Sequence, residues 1–316
     1  MIESFWNKLP KPFFALAPMA DVTDAAFRRI IAKYGKPDVM WTEFVACDGL
    51  QSIGREHLMK DLSYTEDERP IVAQVFGAKP ENFKETAKLI RELGFDGIDI
   101  NMGCPERNIQ KQGAGASLIN TPELAREIIL ATMEGAGDMP VSVKTRIGYN
   151  KNEIETWLPV ILSTNPAAIT LHARTKKEMS DVPADWSQVK RLVEMRNEMK
   201  SKTLIIGNGD VKNIAEGKLR AEETGCDGIM IGRGIFGNPW LFADRKDDPS
   251  FEEKCTVLLE HSYLFEEIFG KTKNFAIMKK HFKAYIGGFP GAKDIRVELM
   301  ETECAEDVKK ILNKII

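Results

Sequence analysis

Cysteine and histidine are scarce and scattered in this sequence of 316 residues. The five cysteines form no Cys-x-x-Cys pair, and the four histidines do not cluster with them. This pattern argues against a disulfide framework and against a structural zinc site, so no metal is expected. The sequence therefore predicts a reduced, cytoplasmic protein.

Long apolar runs are also missing. No stretch of about 18 apolar residues occurs, which argues against a membrane-spanning helix. Residues 1–6 lack the basic start and apolar stretch of a signal peptide. With 43% hydrophobic and 29% charged residues, the composition is typical of a globular protein with a sizeable core. The net charge of −3 gives no global sign of nucleic-acid binding, so any such contact must come from a local patch.

Short apolar, β-branched runs alternate with longer helix-like stretches along most of the chain. This alternation is typical of βα units around a parallel sheet. Helices are expected at 81–93, 122–135 and 213–224, and Gly94 and Gly225 are placed to end two of them. The predicted strands are 13–17, 38–43, 71–76, 97–101, 141–145, 168–172, 204–207 and 228–231.

Eight strands over about 230 residues predict a (β/α)8 TIM barrel. An open doubly wound sheet is the alternative, because periodicity alone does not show closure. After Trp240 the strand pattern stops, and the apolar spacing at 255–269 and 275–285 predicts helices. We predict a barrel over residues 1–247 and a small C-terminal helical domain over residues 248–316.

Polar residues follow the predicted strands at the point where each strand ends. The carboxyl ends of barrel strands meet at one face, so these side chains are expected to converge there. After the last two strands, Asn208-Gly209-Asp210 and Gly232-Arg233-Gly234 suit a phosphate group, because glycine admits the backbone and arginine adds a charged fork. Two ordinary strand-to-helix turns are the alternative. The other strand-end groups are Pro18-Met19-Ala20, Glu43, Gln74, Asn101 to Pro105, Lys144, Arg146, His172 and Arg174.

These residues resemble the tRNA-dihydrouridine synthase family. The most specific shared motif is Asn101-Met102-Gly103-Cys104-Pro105, followed by Gly113-Ala114-Gly115-Ala116-Ser117-Leu118. The resemblance covers residues from about 12 to about 245, and it continues more weakly through Lys280-His281 and Tyr285. Asp21 and the segment Met179-Ser180-Asp181-Val182 depart from the family pattern, which leaves the modified tRNA position open. The other matching motifs are Ala17 to Ala20, Gln74, Val143 to Gly148, Leu171 to Thr175, Asn208 to Asp210 and Ile231 to Arg233.

The resemblance implies an enzyme that binds FMN, takes electrons from NADPH (or NADH) and reduces the C5=C6 bond of a tRNA uridine to 5,6-dihydrouridine. It implies hydride transfer from FMN N5 to C6 and proton transfer from Cys104 to C5. It also implies that Asn101 and Arg146 hold the uracil and that Arg174 contacts the substrate. The FMN-binding residues that it implies are Pro18, Met19, Ala20, Gln74, Lys144, His172, Asn208, Gly209, Asp210, Gly232 and Arg233.

The implied chemistry suits these residue types. A thiol with a pKa of about 8.5 is mostly protonated at neutral pH, so Cys104 fits a general acid. Lys144 and His172 are suited to place positive charge or donors where negative charge gathers on a reduced flavin. A core position is the alternative for Gln74, Lys144 and His172. It is the expectation for the remaining cysteines, Cys47, Cys226, Cys255 and Cys304.

A tRNA substrate requires a local basic surface, because the protein must contact phosphates. Residues 271–283 contain five lysines and no acidic residue, and the aromatic residues Phe275, Phe282 and Tyr285 are interleaved with or directly follow them. A solvated helix face is the alternative for this segment. Near the barrel mouth, Arg174, Lys176 and Lys177 are further candidates, and a monomer is expected. The lysines of the segment are Lys271, Lys273, Lys279, Lys280 and Lys283.

Two other functions remain open at this stage. One is an FMN barrel of the dihydropyrimidine dehydrogenase type, which acts on a free base; the helical tail and its lysines favour RNA instead. The other is a non-catalytic tRNA-binding or folding protein that has kept the barrel. Cys104, Lys144 and the two phosphate-type loops argue against that function.

Overall fold

The computed structural model describes residues 4–243, 245, 247–270, 272–288 and 291–315. Within these residues, eight parallel strands form one sheet in the order β1-β8-β7-β6-β5-β4-β3-β2. Neighbouring strands are also consecutive in the chain, as a (β/α)8 barrel requires. The strands are β1 (Phe13–Leu16), β2 (Met40–Ala46), β3 (Ile71–Phe76), β4 (Gly97–Met102), β5 (Val141–Arg146), β6 (Ala168–His172), β7 (Leu204–Asn208) and β8 (Gly228–Ile231).

The sheet closes between β1 and β2. Ala15 pairs in parallel with Val39, which directly precedes β2. Asp38 N–H donates to Phe14 O at 2.9 Å, and Leu16 N–H donates to Val39 O at 3.2 Å. An open doubly wound sheet would leave both edges unpaired, so this pairing confirms the predicted barrel and excludes the open alternative.

The predicted and observed strands agree closely except in β2. The sequence predicts that this strand ends at Glu43, but the observed strand continues beyond it to Ala46. The register of β2 against β3 shifts between Trp41 and Phe44, which places Glu43 inside a β-bulge. The Thr42 hydroxyl accepts the Gln74 N–H at 3.1 Å in place of a backbone carbonyl. A polar residue in a bulge interrupts the apolar pattern in the same way that a strand end does.

Helices surround the barrel and continue into the tail. Proline occupies the first turn of α4 and α6, and Gly225 takes a left-handed conformation directly after α9, where its lack of a Cβ avoids strain. The β2–β3 connection contains two four-residue α-helices and one three-residue 3-10 helix, so it lacks the long helix that the alternation predicts. The helices are α1 (Ala25–Tyr34), α2 (Cys47–Leu50), α3 (Arg55–Leu58), α4 (Pro80–Glu92), α5 (Arg107–Lys111), α6 (Pro122–Ala136), α7 (Ile154–Leu162), α8 (Ser187–Glu198), α9 (Ile214–Thr224), α10 (Phe251–Phe269), α11 (Lys279–Tyr285), α12 (Ala292–Met300) and α13 (Ala305–Leu312).

The side chains that fill the barrel interior change from apolar to polar along the barrel axis. Near the amino ends of the strands, Phe13, Trp41 and Val72 form an apolar cluster that Trp6 joins. On β3, Gln74 lies two residues after Val72, and alternate residues of a strand share one face. The interior is therefore apolar at the amino end and polar at the carboxyl end.

The helical tail, formed by α10 to α13, packs on α1 of the barrel. Its apolar core combines Phe265, Phe282 and Leu299 of the tail with Ala25 and Ile30 of α1. The tail therefore shares a core with the barrel instead of packing only on itself. Among the described residues, no helix is long and apolar enough to cross a membrane.

Candidate active site

A cavity of about 790 Å³ opens at the carboxyl end of the barrel. It is lined by every catalytic, cofactor and substrate residue that the resemblance implies, with the exception of Ala20; of the strand-end groups, Glu43 and Met102 also lie outside the lining. Ala20 lies one residue beyond the lining, and its side chain is exposed. The predicted convergence of strand ends is therefore observed, and the placement of Ala20 at the site is corrected. Phe44, Val182 and Lys212 also line the cavity, although no sequence motif had marked them as site residues.

Cys104 lies in a turn after β4 that its neighbours hold in shape. Asn101 Oδ1 accepts the Gly103 N–H at 3.1 Å and the Cys104 N–H at 2.9 Å. The Cys104 carbonyl accepts the Ala116 N–H at 3.0 Å. Gly115 has a φ of +61°, and a Cβ there would lie 2.9 Å from the Cys104 carbonyl oxygen. Burial raises the pKa of the Cys104 thiol, which keeps it protonated at neutral pH.

A chain of buried polar side chains lies beneath this turn. Asn101 Nδ2 donates to Gln74 Oε1 at 3.0 Å, and Gln74 Nε2 donates to Asp99 Oδ2 at 2.7 Å. Ser142 Oγ donates to Asp99 Oδ1 at 2.6 Å. Burial raises the pKa of Asp99 to about 6, although both hydrogen bonds lower it. The sequence analysis missed Asp99, but its spacing of two from Asn101 on β4 was the signal that both face the interior.

Strand β5 places two cations at the cavity. Lys144 Nζ lies 3.4 Å from Asn208 Oδ1, and it has no carboxylate within ion-pair distance among the described residues. Burial, followed by the charge of Arg146, lowers the pKa of Lys144 to about 8. Arg146 Nε donates to Gly103 O at 2.8 Å, and Arg146 Nη1 donates to Thr175 O at 3.1 Å. Burial lowers the pKa of Arg146 to about 10, so both groups are charged at neutral pH.

His172, at the end of β6, is held as a neutral donor. Its Nε2 lies 3.1 Å from Arg174 Nη1. A guanidinium only donates, so Nε2 accepts this hydrogen bond and the ring proton is on Nδ1. Burial, and then the charges of Arg146 and Lys144, lower the pKa of His172 far below its ordinary value. The imidazole therefore offers an Nδ1–H donor without a charge.

Arg174 is buried, so the prediction that it adds to a basic surface is wrong. Its side chain is 3% exposed and forms an ion pair with Asp210. Arg174 Nε also donates to Val182 O at 2.6 Å. These bonds tie the connection after β6 to the end of β7. Arg174 lines the cavity from within and shapes its wall.

Asp210 joins the loops after β7 and β8. Its Oδ1 accepts a hydrogen bond from Arg233 Nη2 at 2.8 Å, and its Oδ2 accepts the Ala184 N–H at 2.9 Å. Burial alone would raise the pKa of Asp210, but the hydrogen bonds from Arg174 and Ala184 hold it below its ordinary value. The Arg233 side chain is 61% exposed, so its other nitrogens remain accessible.

Two glycines let these loops approach the cavity closely. Gly209 has a φ of +137°, and a Cβ there would lie 2.7 Å from Ala184 Cβ. A Cβ on Gly234 would lie 2.9 Å from Val211 O in the neighbouring loop. Neither position can hold a side chain without moving the backbone. The loops after β7 and β8 therefore pack closely against their neighbours, and both line the cavity beside the accessible Arg233.

The segment 271–283 does not form a continuous basic surface. Lys271 lies outside the described residues. Lys273 is 18% exposed and forms ion pairs with Glu43 at 3.1 Å and Asp61 at 2.7 Å. The prediction that Lys273 faces RNA is therefore wrong, because two barrel carboxylates already neutralise it.

The other lysines of the segment differ in their surroundings. Lys280 forms an ion pair with Asp21 at 3.0 Å. Lys283 is exposed and Lys279 half-buried, and neither has a carboxylate partner within the described residues. Among the described lysines of this segment, these two remain candidates for phosphate contact. Phe275 and Phe282 are buried in the tail core, so they do not interleave with the lysines on a surface.

Four cysteines were expected in the core. Cys47, Cys226 and Cys255 are buried and unpaired, as predicted. Cys304 is only half-buried because it lies at the cap position before α13, so its prediction is wrong. The tail also buries titratable side chains: His261 and His281 pack against each other with ring centroids 4.6 Å apart.

The chain matches proteins of known family over nearly its whole length. The family model described as dihydrouridine synthase (Dus) matches residues 15–316. A relative from Bacillus subtilis (strain 168), named probable tRNA-dihydrouridine synthase 2, is 42% identical over 316 residues, which is 99% of this chain and 97% of the relative. A probable tRNA-dihydrouridine synthase from Staphylococcus aureus (strain COL) is 40% identical over 317 aligned positions, covering 99% and 96% of the two chains.

Solved structures show the same barrel at low identity. Morphinone reductase superimposes with a TM-score of 0.54 at 12% identity, covering 75% of this chain and 86% of that one. Histamine dehydrogenase from Rhizobium sp. 4-9 gives a TM-score of 0.54 at 15% identity, covering 79% and 48%. These likenesses support the TIM-barrel fold alone. The family match and the close relatives show that the chain belongs to the dihydrouridine synthase family.

Proposed function

We propose that this protein is a flavin-dependent tRNA-dihydrouridine synthase that uses NADPH or NADH to reduce a uridine of tRNA. The observation that carries the proposal is a protonated thiol, Cys104, in one cavity with an unpaired cation, Lys144. The family membership and the printed names of the relatives support tRNA as the substrate. The barrel, residues 1–247, would hold the chemistry, and the helical tail, residues 248–316, would contribute to RNA binding.

The residues at the cavity fit flavin mononucleotide. The cavity volume of about 790 Å³ lies within the range of small-molecule sites. The loops after β7 and β8, which include Gly209 and Gly234, would hold the phosphate together with the accessible Arg233. Lys144 and the Nδ1–H of His172 are donors suited to the polar edge of a flavin ring. The residues that would hold the cofactor are Pro18, Met19, Gln74, Lys144, His172, Asn208, Gly209, Asp210, Gly232 and Arg233.

The bound flavin would supply a hydride to C6 of the uracil ring. Lys144 carries its charge below a pKa of about 8, so it would stabilise negative charge at the ring in the reduced state. His172 stays neutral and would donate a hydrogen bond from Nδ1. Cys104 would protonate C5, since its raised pKa keeps the thiol proton available.

The substrate side of the cavity would be formed by Asn101, Arg146 and Arg174. Asn101 and Arg146 both bind the backbone of the Cys104 turn, so they would align the uracil with the thiol. The target uridine must leave its stack to enter the cavity. Lys279 and Lys283 are the tail cations that would contact the tRNA backbone.

The test is a reaction of the purified protein with NADPH and unmodified tRNA transcript, followed by mass spectrometry of the nucleosides. We expect the protein to purify yellow with non-covalent FMN and to form dihydrouridine only when both NADPH and tRNA are present. Free uracil is the matched substrate control. Reduction of free uracil with a kcat/KM equal to that for tRNA would favour the dihydropyrimidine dehydrogenase alternative. A colourless protein that binds tRNA without forming product would favour the non-catalytic alternative.

A further inference from the structure

The bulge in β2 gives Glu43 an unusual position. The register shift between Trp41 and Phe44 turns Glu43 toward the connection between β1 and α1, while Phe44 lines the cavity. Glu43 Oε1 accepts the backbone N–H of Asp21 in that connection. Bulges commonly re-aim a side chain next to an active site. Glu43 is 8% exposed, so its carboxylate needs partners within the protein.

The connection between β1 and α1 is a tight turn that lines the proposed flavin site. Met19 N–H donates to Thr23 Oγ1 at 2.9 Å, and Thr23 N–H donates to Met19 O at 3.0 Å. Asp21 lies at the tip with a φ of +53°, a conformation that costs energy for a residue with a Cβ. An added hydrogen bond at this residue therefore helps to hold the turn in its observed shape. Glu43 supplies that bond.

The partner of Glu43 comes from the helical tail. Lys273 Nζ lies 3.1 Å from Glu43 Oε2 and 2.7 Å from Asp61 Oδ1, which belongs to the connection between β2 and β3. The ammonium group also lies 4.7 Å from the centroid of the Phe269 ring. Lys280 of the tail pairs with Asp21 itself at 3.0 Å. Two tail lysines thus reach the same turn, one directly and one through Glu43.

The charges around Lys273 explain why the lysine is needed. Glu43 and Asp61 both contact it, and Asp24 lies close enough for its pKa to rise to about 7 through burial and the Glu43 charge. Burial raises the pKa of Glu43, and Lys273 is the main group that lowers it. Without Lys273 three carboxylates would share one poorly solvated pocket. Repulsion would then displace Glu43 from the Asp21 N–H.

We propose that Lys273 is a positioning residue: acting through Glu43, it fixes the turn Met19–Thr23, so the helical tail sets the shape of the flavin site. This inference rests on the proposed function, because it assumes that Met19 packs on a bound flavin. It assigns to Lys273 a role in cofactor binding in place of RNA contact. The tail is then part of the cofactor site as well as an RNA-binding element.

The test compares flavin affinity in three variants of the full-length protein. Lys273→Met removes the charge and keeps the chain length, and Lys273→Arg keeps the charge. Lys314→Met is the matched control, since Lys314 also lies in the tail and pairs with Glu298, but with both side chains more than half exposed at 65% and 51%. Dissociation constants for FMN and the visible spectrum of the bound flavin are measured well below the unfolding temperature of each variant.

We expect Lys273→Met to raise the FMN dissociation constant roughly 10-fold to 100-fold, the size of effect that a small misplacement of a site produces. Lys273→Arg and Lys314→Met should stay within about threefold of the parent. Glu43→Gln keeps an oxygen for the Asp21 N–H but loses the charge that binds Lys273, so it should weaken FMN binding less. Its effect should not add to that of Lys273→Met in the double variant. If Lys273→Met does not fold, the inference is tested by comparing the FMN dissociation constants of Glu43→Gln and Lys273→Arg with that of the parent.

Parent-like FMN affinity in Lys273→Met and Glu43→Gln would overturn this inference alone. A raised KM for tRNA with unchanged FMN binding would return Lys273 to an RNA-contact role. A lowered unfolding temperature with unchanged FMN binding would show that the ion pairs only dock the tail. A parent protein that binds no flavin would instead overturn the proposed function, and this inference would fail with it.

Discussion

Lys144 at the barrel mouth and Lys273 at the junction with the tail are both partly buried lysines, but their surroundings are opposite. Lys273 lies between two carboxylates, and these raise its pKa although burial opposes them. Lys144 has no ion pair among the described residues, and burial with the neighbouring Arg146 lowers its pKa to about 8. Burial is common to both lysines, and the partner decides the direction of the shift.

The comparison separates two uses of positive charge. A buried cation with no carboxylate in contact has lost hydration that a more distant charge, here that of Asp99, only partly replaces, so it is a cost to the folded protein that a bound electron-rich group can offset. A lysine that is paired on both sides has already found its partners within the chain. We therefore interpret Lys144 as a ligand-binding group and Lys273 as a group that stabilises the contact between the tail and the barrel.

The largest effect is expected for Cys104, the group next to Lys144 that would supply the proton. Cys104→Ala should bind FMN, oxidise NADPH and bind tRNA normally, because none of those steps uses the thiol. Dihydrouridine formation should fall by about 10² to 10⁴, the usual contribution of a positioned general acid. Cys104→Ser should be nearly as poor, since an alcohol is a much weaker acid. The rate is measured as single-turnover oxidation of reduced flavin by tRNA.

Near-normal turnover in Cys104→Ala would remove Cys104 from the mechanism and direct attention to Lys144 and His172. Loss of flavin would show that the thiol is needed for the shape of the site.

Lys144 should give the next largest effect and a pH signature. As the pH rises through about 8, Lys144 loses its charge, so flavin reduction by NADPH in the parent should slow above this pH. Lys144→Met should be slower by roughly 100-fold below pH 8 and lack this decline. Lys144→Arg should retain most of the rate and move the decline to higher pH. A parent-like pH profile in Lys144→Met, measured by stopped flow, would contradict the assignment.

The two lysines should have opposite effects on stability. The folded-state pKa of Lys144 lies below the unfolded value of 10.5, so the folded protein carries a cost that is complete below about pH 8 and shrinks as the pH rises toward 10.5. Lys144→Met should therefore stabilise the flavin-free protein at pH 7, by roughly 1–3 kcal/mol. Lys273 has a raised folded-state pKa, so its stabilisation is complete at pH 7, and Lys273→Met should destabilise by about 1–3 kcal/mol.

Chemical denaturation of both variants at pH 7 and pH 9 measures these differences. If both substitutions changed the free energy of unfolding in the same direction at pH 7, the distinction between the two lysines would be refuted.

Arg233 and the tail lysines should produce the smallest effects, because all of them are accessible to water. Arg233→Ala should weaken FMN binding about tenfold, as expected for the loss of one charge-assisted contact. Lys279→Gln with Lys283→Gln should raise the KM for tRNA several-fold and reduce the salt dependence of binding by about one unit of slope for each lost contact. Titration with FMN tests the Arg233 variant, and tRNA binding at several salt concentrations tests the lysine variant. An unchanged salt slope would identify this helix face as merely solvated.

Much of the fold and of the site could be predicted from the sequence, because both depend on local patterns. The alternation of strands and helices specified a parallel sheet, and glycines such as Gly225 ended helices where expected. Residues at strand ends converge in any barrel, so the cavity lining followed from sequence order alone. The motif around Cys104 identified the family before any contact was known.

The sequence could not show barrel closure, the bulge in β2 or the fate of the tail lysines. Closure depends on hydrogen bonds between β1 and the residues just before β2, such as the one from Asp38 N–H to Phe14 O, and the sequence pattern of these segments does not differ from that of an open sheet. Lys273 and Glu43 are separated by 230 positions, so no local pattern reveals that they pair. A lysine has the same sequence signature whether it faces solvent or a carboxylate.

The sequence by itself determined which residues could perform the chemistry: a thiol, two cations and a histidine at successive strand ends. Only the tertiary structure decided their states. It raised the pKa of Cys104 by burial, left Lys144 without a carboxylate at ion-pair distance among the described residues, and fixed the proton of His172 on Nδ1 through Arg174. The physical reason is that residue type decides which groups can ionise. Desolvation and partner charges decide the pKa of each group, and they come from residues that are distant in sequence.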